Sequence, residues 1–180
     1  MSKQDRKYNG RVGEHYVLYR LLRERKDLNA VIAAPNTDTV DIYAADKAGK
    51  PCAVQVKTKT NRTCWQLGIE HEQIEDPGLF YAFVDLGKHF GVEKPKTDPP
   101  DIKEPPDVFI VPSKVVARAV RLSHPAWLDT AAKSGKPKKD TDRRDICYDY
   151  KRARFGTFGE VEGFPAGWME EYRECWELLQ

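Results

Sequence analysis

The sequence predicts an α/β domain in which a central mixed β-sheet is flanked by helices. Three observations carry this expectation. Thr39 to Lys59 alternates with period two on either side of a turn-forming Asp46-Lys47-Ala48-Gly49-Lys50, the pattern of a half-buried hairpin. Ahead of it, Val17, Leu18, Leu21 and Leu22 recur at helical spacing. After it, the apolar run Leu79 to Leu86 and the run Asp107 to Val111 have strand length, and a second helical pattern follows them. The chain lacks the regular strand–helix alternation of a doubly wound fold, which favours a mixed sheet.

In order, residues 1–8 are polar and read as a frayed end. Asn9 is a good N-cap, so the first helix is expected from Gly10 to Lys26. Ala30 to Ala34 reads as a short strand, closed by Pro35-Asn36-Thr37. The hairpin comes next, with its turn centred near Ala48. Thr60 to Thr63 is a polar turn, Trp65 to Leu67 a short strand, and Gly68 to Asp76 a loop or short helix. Leu79 to Leu86 is apolar throughout and reads as a central strand. Gly87 to Pro106 holds five of the twelve prolines and reads as a surface excursion. Asp107 to Val111 is the next strand. Ser113 is the expected N-cap of a helix through Val120, with a further helical turn at His124 to Ala131. Lys133 to Asp145 reads as a basic loop, and Trp168 to Leu179 as a short helix. The C-terminal aromatics are spaced as core rather than as a base-stacking surface. The expected organisation is one domain over 1–180, with its core at about 9–120 and a basic and aromatic extension at about 121–180.

Composition narrows the function classes. With 180 residues, 40% hydrophobic and 32% charged, the chain is long enough for a real core and too apolar to be disordered. No apolar run approaches the ~20 residues of a membrane helix, and the first residues carry no secretory pattern. The four cysteines are scattered and form no metal-binding spacing, which points to a reduced, cytoplasmic protein without structural zinc. Net charge is only +2. Yet residues 133–154 carry nine Lys/Arg against four Asp/Glu, and residues 155–180 carry six Glu against one Arg. A basic surface beside an acidic tail follows.

The hairpin sets chemical groups against one another. With the turn at Ala48, Asp41 lies opposite Gln55, about 5 Å away, and Lys57 is one step along the same face. Glu14 lies on the edge of the first helix's apolar stripe, where a carboxylate needs a reason. It either complements the helix N-terminus or is aimed at the hairpin. Asp, Gln and Lys are also ordinary on the wet face of a hairpin, and spacing alone does not separate the two readings. Hard divalent cations take oxygen ligands, so Asp41, the Gln55 amide, the Val56 carbonyl and Glu14 form a candidate Mg²⁺ set, with Mn²⁺ as the substitute. Lys57 is then placed to stabilise charge on a phosphate. His71, amid acidic residues, reads as a surface residue.

Gly13-Glu14 on a first helix, then Asp41, then thirteen intervening residues, then Gln55-Val56-Lys57, resembles the PD-(D/E)XK nuclease superfamily. The D…QxK variant is similar to its Mrr-like restriction endonuclease branch. The resemblance covers Asn9 to Leu86, and Val108 to Val120 fits the later strand and helix. It implies a restriction-endonuclease-like core and Mg²⁺-dependent endonucleolytic hydrolysis of DNA, in restriction or phage defence. By it, Asp41 and Gln55 bind the ion, Lys57 is the catalytic lysine, and Glu14 assists. Val40 stands where the family's proline would be, and Gln55 where an acid would be. The second change removes a negative charge from the metal site, so a catalytically weak nucleic-acid-binding module on the same fold is the other reading. Lys59, Arg62, Lys136, Lys138, Lys139, Arg143 and Arg144 are candidates for phosphate contact. The residues do not separate RNA from DNA. Cutting both strands of a duplex is simplest with two sites, so a homodimer is the expected assembly.

Overall fold

Helix α1 (Lys3–Glu24) crosses one face of a five-stranded sheet. A computed structural model describes residues 3–34, 37, 39–60, 64–87, 105–130, 132, 134–152 and 158–179. Most of the proline-rich excursion therefore lies outside the described residues. The helix starts six residues ahead of Asn9. Lys, Gln and Arg in its first turns are good helix formers, and Asp5 complements the positive end of the helix dipole. Val17 and Leu21 are fully buried against the sheet, while Leu22 faces outward.

The sheet runs β1 (Leu28–Ile32), β2 (Ile42–Asp46), β3 (Pro51–Lys59), β5 (Leu79–Asp85) and β6 (Asp107–Pro112), in that spatial order. All neighbours are antiparallel except β3 and β5, which run parallel. The mixed sheet and flanking helices are thus those expected from the sequence. Ala45 opposes Pro51 and Ile42 opposes Val54, so the hairpin turn is centred on Ala48, as its pattern predicts. Six of the seven residues of β5 are buried, because both faces of this central strand are covered.

The two faces carry separate cores. Toward α1 point Val54, Val56, Phe80, Ala82 and Val84, joined by Trp176 and Leu179 from the chain's end. Toward the other side point Tyr81 and Phe83. They are covered by β4 (Cys64–Gly68), helix α2 (Ser113–Leu128) and the C-terminal aromatics Phe158, Phe164 and Trp168. These aromatics are core, as their spacing suggested. Three expectations change. Helix α2 is continuous through Pro125, with Pro112 rather than Ser113 at its cap; the Ser113 hydroxyl instead donates to the Asp76 carbonyl, 2.6 Å away. The end of the basic loop is a strand, β7 (Arg143–Cys147), drawn into antiparallel pairing with β4. The last segment forms two short 3₁₀ turns, Trp168–Tyr172 and Trp176–Leu178, in place of one helix.

Pairing of β4 with β7 sets Cys64 directly opposite Cys147, and the two form a disulfide with a Cα–Cα distance of 4.2 Å. This corrects the expectation of a fully reduced chain. The partners lie 83 residues apart, a separation that no local spacing rule detects. Closing so long a loop restricts the unfolded chain, so Cys64→Ser is expected to cost about 2–4 kcal/mol. The urea midpoint of the variant should fall accordingly, and a reductant should bring the wild type to the same value. Among the described residues, no helix is long and apolar enough to cross a membrane.

Candidate functional site

Asp41 sits one residue ahead of β2. Its N–H donates to the Val54 carbonyl (3.0 Å) and its carbonyl accepts from the Ala33 N–H (2.8 Å). The backbone is thus tied to both neighbouring strands. Thr39, two residues earlier, has φ +62°, a left-handed conformation that a β-branched residue adopts at a cost. The Asp41 side chain turns onto β3, where Oδ2 accepts the Val56 N–H at 2.7 Å. Val56 therefore holds Asp41 through its N–H.

Gln55 and Lys57 project from β3 on the face opposite α1. Parallel register places them beside Tyr81 and Phe83 of β5. Gln55 is 7% exposed, and its Oε1 is buried with no hydrogen-bond partner among the described residues. Lys57 is half-buried. Burial holds its ammonium below the ordinary lysine value, while Asp41 and then Glu70 pull the other way. Glu14 is half-buried on α1. Burial pushes its carboxyl up, and the nearby Asp41 carboxylate adds to the rise against smaller opposing effects of His15 and Arg11. The neighbouring Gly13 lets α1 come this close. A Cβ there would clash with Thr58 Oγ1, near the end of β3. Asp41 is thus tied to β3 between Gln55 and Lys57, which face away from α1, while Glu14 comes from the α1 side and feels the Asp41 charge. Among the described residues, no three His, Cys, Asp or Glu cluster as a metal site, so an ion here would depend on the amide and backbone oxygens.

The proposed phosphate-contacting residues divide. Arg62 lies outside the described residues. Lys59 is an internal strut: it pairs with Asp85 at 2.7 Å and lies 4.1 Å from the centre of the Trp65 ring. Arg144 is also structural. It is 4% exposed, bonds to Glu72, and donates to the Thr141 carbonyl, because its place in β7 turns it inward. Lys138 folds over Trp127 and donates to its carbonyl at 2.8 Å. Arg143 is exposed but makes a two-pronged pair with Asp145. Lys136 and Lys139 are exposed on the loop before β7.

Sequence reasoning misplaced His71. The single 3₁₀ turn Ile69–Glu72 carries His71 inward, where it is 2% exposed. Its Nδ1 lies 2.6 Å from the Tyr81 hydroxyl and its Nε2 3.4 Å from Glu70 Oε1. Burial, and then Lys57, hold its pKa down to about 4 against the pull of Glu70. The neutral imidazole is therefore the folded form. Its contribution to stability is whole above the ordinary value of 6.5 and is lost as the pH falls from there toward 4, by roughly 3 kcal/mol. Urea unfolding from pH 7 to pH 4 should show this slope, and His71→Gln should lack it.

No family model matches the chain, and no curated protein matches it. Among solved structures, a bacterial homing endonuclease superposes with a TM-score of 0.45 at 13% identity, over 96% of this chain and 89% of that one.

Proposed function

We propose that the chain is a divalent-cation-dependent endonuclease that hydrolyses phosphodiester bonds in DNA, a PD-(D/E)XK enzyme of the D…QxK type. The observation that carries this reading is the Gln55 amide oxygen, buried and unpartnered beside a carboxylate and a lysine. Such an oxygen costs about 1–3 kcal/mol unless something meets it. A hard cation held by Asp41 and Gln55, with the Val56 carbonyl and Glu14 completing the set, fits its chemistry. Mg²⁺ or Mn²⁺ bound there supplies a Lewis acid for the phosphoryl oxygens.

The chain's own residues do the rest. The Val56 N–H fixes the Asp41 carboxylate in one orientation before any ligand arrives. Lys57, desolvated and flanked by Phe83, presents a positive charge to the phosphate from the same face as Gln55. Glu14 approaches from α1 beside Asp41, and a cation shared by the two carboxylates would relieve their mutual repulsion. Lys136 and Lys139 offer sequence-independent contacts to the DNA backbone.

The test is supercoiled plasmid incubated with the protein and Mg²⁺ or Mn²⁺, beside Asp41→Asn and Lys57→Ala. Nicking or linearisation by the wild type alone supports the assignment. Equal products from all three proteins, or none from any, refute it.

A further inference from the structure

We propose that the cleft between α2 and β7 binds a single nucleobase, carried on a nucleic-acid strand or on a free nucleotide. None of its residues belongs to the Asp41–Gln55 centre, and the site stands without the nuclease reading. Ser123, His124 and Trp127 share one face of α2 and form one wall. Thr141, Arg143 and Asp145 form the other, because alternate residues leading into and along β7 point the same way. Phe158 closes the cleft. It is held to α2 by its neighbour Gly159, whose N–H donates to the Ala126 carbonyl at 3.0 Å. The space between the walls is about 300 Å³, the lower end of ligand pockets and enough for one small planar molecule.

The walls are set before any ligand arrives. His124 is buried and stacks on Trp127 with ring centroids 5.6 Å apart, and its Nε2 lies 2.7 Å from Asp140 Oδ1. Lys138 donates to the Trp127 carbonyl at 2.8 Å, so the loop ahead of β7 is pinned to α2 at two points. Ser123 is 1% exposed, yet its hydroxyl reaches the Val120 and Asp145 carbonyls only at 3.4 and 3.5 Å. A good O–H···O bond is roughly 2.7–2.8 Å long, so this buried hydroxyl is poorly met by the protein where it lines the cleft. Opposite it, Arg143 and Asp145 form their forked pair, which sets donors beside acceptors. Aromatic rings with a polar edge of both signs do not suit a simple ion. They suit a flat heterocycle that carries N–H and carbonyl groups side by side. The exposed Lys136 and Lys139 lie on the same loop, just ahead of Thr141, and fit the phosphate that such a base brings with it.

The test uses the full-length protein in EDTA, where no cleavage is needed, so failure of the nuclease reading leaves it intact. Two fluorescein-labelled single strands of equal length, one bearing bases and one abasic throughout, are titrated and followed by anisotropy. The base-bearing strand should bind about five- to a hundredfold more tightly, the range for one base meeting aromatic side chains. Calorimetry with the four deoxynucleoside monophosphates, against deoxyribose 5-phosphate, identifies the source. Heat from a nucleotide but not from the sugar phosphate marks a free nucleotide as ligand. Base preference without that heat marks a base within a strand. Thr141→Trp, which fills the mouth of the cleft, and Arg143→Ala, which removes the donor, should each abolish the signal. Both residues are exposed, so the thermal midpoints of these variants should match the wild type. Neither base preference nor nucleotide heat in the wild type, or a signal that survives both substitutions, overturns the proposal.

Discussion

Asp41→Asn is expected to reduce metal-dependent DNA cleavage on the order of 10²–10³-fold or more, the range for removing one preorganised electrostatic group from a site. The substitution is nearly isosteric. An asparagine oxygen still accepts the Val56 N–H that Asp41 accepts at 2.7 Å, so β2 and β3 keep their register. What is lost is the negative charge, and with it a carboxylate fixed by a backbone N–H of β3. Removing that charge also relieves Glu14, whose carboxyl is pushed up in part by Asp41. Plasmid cleavage measures the first effect. Calorimetric titration with Mn²⁺ separates lost ion binding from lost chemistry, and an unchanged urea midpoint excludes unfolding.

The second large effect is one of stability. Trp65→Ala is expected to cost about 3–5 kcal/mol, as for large aromatic truncations in a close-packed core. Trp65 is 1% exposed and meets Phe83 at 5.3 Å and Phe109 at 6.1 Å between ring centres. Its indole N–H donates to the Val84 carbonyl at 2.9 Å, a bond that stitches β4 to the underside of β5. Lys59 rests on the same ring. Truncation therefore opens a cavity, removes a hydrogen bond to a buried strand carbonyl and takes away the seat of a buried ammonium. Urea denaturation followed by the remaining tryptophans gives the magnitude.

The parts of this fold that were legible are those with local causes. The hairpin's alternation fixes its own register, because a slip of one residue would carry polar Gln55 and Lys57 into the apolar core under α1 in place of Val54 and Val56. That register is why Asp41 and Gln55 could be paired from the sequence. The central position of β5 followed from its unbroken apolar run. What was hidden depends on partners distant in the chain. Strand β7 is only five residues, Arg143–Cys147, beginning with two arginines, and it exists because β4 offers an edge across more than seventy residues. Arg144 reads as a solvent-facing cation until Glu72 is placed beside it. His71 gave no such local signal: the alternation of Cys64–Gly68 would next turn Ile69 inward, yet Ile69 is exposed and the 3₁₀ turn buries His71 instead.

The disulfide has a mechanical consequence. Pulled by its two ends, the chain transmits load from Cys64 to Cys147 through the sulfur bridge, so β5, β6 and α2 lie in a covalent ring that carries no tension along its backbone. Extension can come only from the N-terminal arm, which holds α1 and β1 to β3, and from the C-terminal tail. The bridge spans 83 residues, so the fully stretched oxidised chain is shorter than the reduced one by about 280 Å at roughly 3.4 Å per residue. The two terminal segments meet directly, since Arg25 beside α1 donates to the Trp176 and Leu179 carbonyls, so force on the ends loads that clasp before it reaches the sheet.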